Sequence, residues 1–130
     1  MRDKPRVEEL MSELFAFSQK LLREHGGFHP FGGLVRLNGS MVYVGCRPVG
    51  DDAGAERFDG LVAALGHSSG GLLAVGVAAN VEIDSGSAIR IFIEHRQGYC
   101  ADVFFPYALD GDQLTVGDHY AMQATPRIFG

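Results

Sequence analysis

The sequence predicts an α+β domain in which a central antiparallel sheet of about five strands is covered by two or three helices. Three observations predict it. Apolar residues recur at three- and four-residue spacing from Pro5 to His25, and Asn38-Gly39 stands between two short apolar runs. Three β-rich segments later in the chain are separated by turns short enough for antiparallel neighbours. The chain has 130 residues, 46% hydrophobic and 21% charged. A chain of that length buries about two-thirds of its unfolded surface, so residues 1–130 read as one domain that needs no covalent staple.

The first element is an amphipathic helix. Val7, Leu10, Met11, Leu14, Phe15, Phe17, Leu21 and Leu22 form its apolar side, with Glu8, Glu9, Glu13, Lys20, Arg23 and Glu24 between them. Pro5 suits its first turn, the early acids suit its N-terminus, and Gly26-Gly27 offers a left-handed cap after His25. Phe28 to Gly33 reads as an aromatic and glycine-rich entry loop. A hairpin follows, from Leu34 to Leu37 and from Met41 to Gly45, with Asn38-Gly39 predicting a type I′ turn in which both central residues take positive φ. Alternation places Val42 and Val44 on one face, Met41 and Tyr43 on the other.

Cys46 to Ala53 reads as a loop ending in a helix cap at Asp51 or Asp52, and Phe58, Leu61, Val62 and Leu65 give a short apolar face for a second helix. After the break at Gly66 to Gly71, strands are predicted over Leu72 to Ile83, Ala88 to His95 and Tyr99 to Tyr107. Asp110-Gly111-Asp112 marks another tight turn, and Asp118 to Gln123 reads as a short helix or an edge strand. Helix, hairpin, helix, three-strand meander resembles the element order of profilin-like and related small sensor folds.

Sixteen acidic against eleven basic residues give a net charge of −5, which offers no attraction to phosphate backbones or anionic lipid, so neither nucleic acid nor membrane is an expected partner. No apolar run reaches the ~18 residues of a membrane helix. The N-terminus lacks the pattern of a signal peptide, which places the chain in the cytoplasm. Cys46 and Cys100, without CxxC or Cys/His spacing, make neither a zinc motif nor a disulfide framework. The five histidines, His25, His29, His67, His95 and His119, include no pair at metal-ligand spacing. No metal, cofactor or catalytic residue is assigned.

Glu94-His95-Arg96, with Tyr99 and Cys100 past the turn, is the densest group of reactive side chains. Strand alternation puts Glu94 and Arg96 on one face and His95 on the other, which argues against a Cys100–His95 nucleophile and base and for Glu94 and Arg96 pairing on the solvent side. Gly66 to Gly71 follows a helix and leads into a strand, the reverse of a phosphate-cradling loop. The aromatic residues are more numerous than two strand faces easily hide, Phe104-Phe105-Pro106-Tyr107 above all. Either helices lie on both faces of the sheet or a partner subunit supplies the second cover.

FHPFGG (Phe28 to Gly33), EHRQGYCADVFFPY (Glu94 to Tyr107) and PRIF (Pro126 to Phe129) resemble a small bacterial family of uncharacterised single-domain proteins with HG-x-F-x-PFG, EHR-x-GY-x-x-x-VFFPY and PRIF segments. The resemblance covers most of the chain and implies one intact domain. It carries over no reaction, cofactor or catalytic residue. Small proteins of this kind suit accessory or immunity-like roles in bacterial gene clusters.

The sequence-based expectation is a non-enzymatic interaction protein, a homodimer or the partner of another protein. Phe31, Glu94, His95, Arg96, Tyr99, Phe105 and Tyr107 are its candidate contact residues, and Arg96 and Phe105 are the positions where substitution would disturb association. The rival expectation, from another class, is a small-ligand enzyme or sensor with His95, Glu94, Cys100 and His29 around a pocket.

Overall fold

The computed structural model describes residues 3–45, 60, 62–66 and 69–129. Helix α1 (Asp3–His25) is followed by strands β1 (Phe31–Arg36) and β2 (Met41–Gly45), a 3₁₀ turn at Ser69–Gly71, and β3 (Leu72–Ile83), β4 (Gly86–His95), β5 (Cys100–Asp110), β6 (Gln113–Val116) and β7 (Tyr120–Gln123). The sheet order is β2-β1-β3-β4-β5-β6, with β7 also on β5, and every pairing is antiparallel. The α+β class therefore stands, with seven strands where about five were expected, β6 and β7 sharing one edge of the sheet. Residues 62–66 are helical, the described end of the expected second helix. Cys46, Asp51, Asp52 and Phe58 lie outside the described residues.

α1 ends as its sequence indicates: Gly26 has φ 77° and its N–H donates to the Leu22 carbonyl at 2.8 Å. Its apolar side covers one face of the sheet. Val7, Leu10, Leu14 and Leu22 pack with Phe31, Val35, Ala74, Ala78, Ile89, Ile91, Ile93, Val103 and Phe105 in a first core. The close approach rests on two glycines facing each other in the β1–β3 register, Gly33 and Gly76. A Cβ at Gly76 would stand 2.6 Å from Leu14 Cδ1, and one at Gly33 would stand 3.0 Å from Leu10 Cδ1. This explains why FGG belongs to β1 and not, as expected, to the entry loop: the glycines form the flat seat on which the helix rests.

A second core lies on the opposite face. Leu34, Leu72, Val75, Val77, Ala79 and Phe92 are covered there by Val62, Leu65 and Ile128, so β3 is buried on both faces along most of its length. Val42 and Val44 pack on this side and Met41 on the other, as alternation requires.

The β1–β2 turn differs from expectation. Among the described residues no non-glycine has positive φ, so Asn38 is not in the left-handed region and the turn is not type I′. Gly39, at φ 92°, donates its N–H to the Arg36 carbonyl at 2.8 Å, and the Arg36 N–H bonds the Ser40 carbonyl at 2.8 Å. This is a type I turn closed by a glycine bulge, the usual three-residue hairpin loop. Asn38 contributes through its side chain, whose Oδ1 accepts the Ser40 N–H at 2.9 Å. The β4–β5 turn repeats the pattern: Gly98 at φ 108° donates to the His95 carbonyl at 3.0 Å and the His95 N–H bonds the Tyr99 carbonyl at 2.7 Å.

At the far edge β6 and β7 form one interrupted strand along β5. Tyr107 pairs with Val116 and Phe104 with Tyr120, so three residues, 117–119, stand opposite two, Phe105 and Pro106. The interruption has a covalent cause. Pro106 has no N–H for a ladder bond, and only its carbonyl is used, by the Gly117 N–H at 2.8 Å.

Candidate functional site

Glu94 and His95 end β4, and Arg96 opens the turn that follows. Glu94 is 1% exposed and lies on the face of the second core, beside Phe92. It does not pair with Arg96 in solvent. Its Oε1 accepts the N–H groups of Arg127 at 2.8 Å and Ile128 at 2.9 Å, and its Oε2 accepts that of Phe129 at 2.9 Å. One buried carboxylate therefore takes three successive amides and holds the terminal PRIF segment, while Ile128 fills the second core.

Its neighbours strengthen the clasp. Arg96 Nε donates to the Leu72 carbonyl at 2.8 Å, and its guanidinium carbon lies 5.0 Å from the centre of the Phe129 ring, a cation–π arrangement. The Arg96 N–H bonds the Leu73 carbonyl at 2.9 Å, tying the turn to the start of β3. His95 is 2% exposed, lies on the α1 face, and its Nδ1 accepts the Gln97 N–H at 3.0 Å.

Cys100 stands directly opposite Glu94 in the β4–β5 register and packs against the second core. Burial, then the charges of Glu94 and Asp102, push its thiol up to about 11. At neutral pH it is a protonated thiol, and His95 points to the other face of the sheet. Glu94, His95 and Cys100 thus do not converge on one pocket. Further along the same face, Asp102 accepts two bonds from Arg90, at 2.8 Å from Nε and 3.2 Å from Nη2. Among the described residues no group of three or more His, Cys, Asp or Glu could hold a metal ion, and no helix is long and apolar enough to cross a membrane.

The other expected contact residues divide. Phe105 is 8% exposed and stacks on Phe15 with ring centres 4.1 Å apart, so an aspartate there would break the first core and could not report on association. Phe31 is 7% exposed and meets Phe17 and Phe28 edge to face. Tyr107 is half-buried and its hydroxyl bonds Asn80 Oδ1. Tyr99 is exposed, at the tip of the β4–β5 turn.

Two open apolar surfaces lie elsewhere. On the second face, beyond the PRIF segment, the rings of Phe104 and Tyr120 stack at 5.3 Å, Met122 is 57% exposed, and with Ile83, Asp84 and Ser85 they line a shallow hollow of about 420 Å³. At the end of α1, Phe17, Leu21, Phe28, Pro30 and Phe31 line a hollow of about 500 Å³ with His25 and His29 at its polar positions. Sequence reasoning counted Tyr120 among the surplus aromatics but took none of Tyr120, Met122 and Phe17 as a contact residue. Reading Asp118 to Gln123 as a strand would have put Tyr120 and Met122 on one face; Phe17 stood within the helical apolar pattern and gave no signal of being exposed.

Comparison of the chain with protein-family models, with curated proteins and with solved structures returns no match.

Proposed function

We propose that the protein is a non-catalytic binding protein that acts by association, as a homodimer through the β7 side of its sheet. The observation that carries this reading is the division of labour among its distinctive residues. Glu94 and His95 are buried and Arg96, though exposed, bonds the Leu72 carbonyl, so the three hold the chain's own turn and terminal segment, while Phe104, Tyr120 and Met122 form an apolar patch at a sheet edge. Aromatic and thioether side chains gathered at an edge suit a protein contact. The FHPFGG, EHR-to-VFFPY and PRIF segments support grouping the chain with small bacterial single-domain proteins, and a cytoplasmic accessory or immunity-like role fits that company. Light scattering over a concentration series tests the reading: Met122→Asp, which desolvates a charge in the contact, is expected to weaken the dimer by about tenfold or more. Equal association of the variant and the parent overturns it.

A second reading is favoured by the hollow at the end of α1. Five apolar residues and two imidazoles around about 500 Å³ suit a small apolar ligand. Of the residues expected for a sensor, His95, Glu94, Cys100 and His29, this reading keeps His29 alone and adds His25.

A further inference from the structure

Resting on the association reading, we infer that the dimer forms by exchange: residues 120–129 of each chain dock on the β4–β5 hairpin of the other. The argument begins with what holds this segment. β7 pairs with Ala101 to Phe104 of β5, the Ala124 N–H bonds the Cys100 carbonyl at 3.3 Å, and Arg127 to Phe129 bond Glu94. Apart from Ile128 and Phe129 in the second core, each of these contacts is made to residues 94–104. The dock is thus a groove floored by one hairpin and closed at its far end by residues 62–66, and it recognises mainly backbone, with one apolar anchor at Ile128 and one aromatic anchor under Arg96. A groove of this kind reads a strand and its tail in the manner of strand addition.

The segment is also separable. All four residues of β7 are exposed, and it is joined to β6 only by residues 117–119, which are exposed too and stand where Pro106 interrupts the ladder. Release of the segment leaves the Glu94 carboxylate in the second core without its three amides, so an opened chain is driven to close on such a segment again. The segment of a second copy fits by identity, since it carries the same amides, the same Ile128 and the same Phe129. Cis and trans closure share these contacts. They differ at residues 117–119 and at the crossing where two straightened linkers pass, beside which stand Tyr120 and Met122, 42% and 57% exposed in the single chain.

The test uses the full chain. Ala124 continues the β5–β7 ladder opposite Cys100, which sets the two side chains at cross-strand distance. In a Cys46→Ser, Ala124→Cys chain, mild oxidation after concentration is expected to give a disulfide-linked species of twice the chain mass under denaturing, non-reducing conditions. A link confined to one chain, alongside a dimeric parent, overturns exchange and leaves association through the surface patch standing. A parent that stays monomeric at every concentration overturns both. A second measurement needs no substitution: in a mixture of isotope-labelled and unlabelled parent chains, filtered NOEs between the Ile128 amide and the Glu94 side chain are expected between chains. Their restriction to one chain overturns the exchange.

Discussion

At the scale of single residues, Glu94 is the side chain on which the most structure depends. It is buried and accepts three amide bonds, and substitution removes the acceptor while the amides of residues 127–129 stay behind a closed segment or the segment lifts away. Bonds to a charged group contribute about 1.5–3 kcal/mol each and do not add, so Glu94→Ala is expected to cost about 3 kcal/mol, read as a lower urea midpoint. Hydrogen exchange should quicken at Ile128 and Phe129 in the same variant. Cys100 gives a pH prediction. Its folded thiol is pushed up to about 11 from an ordinary 9.0, so the folded state holds the proton more tightly. The stability this contributes is full below the unfolded value and is lost as pH rises from about 9 to about 11. In a Cys46→Ser chain, thiolate absorbance should titrate near the upper value, and Glu94→Gln should lower the midpoint by removing one of the negative charges responsible.

At the scale of elements, the seat of α1 decides the packing. Gly33 and Gly76 let Leu10 and Leu14 approach the sheet backbone, and the 2.6 Å separation at Gly76 leaves no room for a methyl group. Gly76→Ala is expected to destabilise by about 1–3 kcal/mol, measured by thermal or urea unfolding. Adding Leu14→Ala should cost less in that background than alone, because the two changes share one space. The helix, the hairpin and the three long strands were legible because each carries a local signal: a 3.6 period, turn glycines, β-branched runs. Gly33 misled for the same reason, since glycine in sequence signals a loop and only the helix above shows why it lies in a strand. The turn at Asn38-Gly39 was legible as a turn, while its type depends on φ at Asn38, which the dipeptide leaves open. The β6–β7 edge was legible in part, as a turn at Asp110-Gly111-Asp112 and a helix or edge strand over Asp118 to Gln123, while the break between its two strands shows only with Pro106 placed opposite it.

At the scale of the whole molecule, the relation of EHR to PRIF decides how the chain's distinctive residues are used. Both segments are visible in the sequence, but Glu94 and Arg127 are 33 residues apart, and they meet only because β5 reverses the chain and the β6–β7 edge runs back along it. No periodicity carries that information. The aromatic excess was a sound signal of a second face needing cover, and residues 62–66 with Ile128 and Phe129 supply part of it. What stays open lies at Phe104, Tyr120 and Met122, not at the expected Phe31 and Phe105, which are buried. The two proposed readings, association and ligand binding, rest on different parts of the surface, the β7 edge for one and the end of α1 for the other. Native mass spectrometry of the untagged full chain separates them in one spectrum. The account predicts a dimer of twice the chain mass with no added small molecule; a monomer carrying a stoichiometric ligand would contradict it.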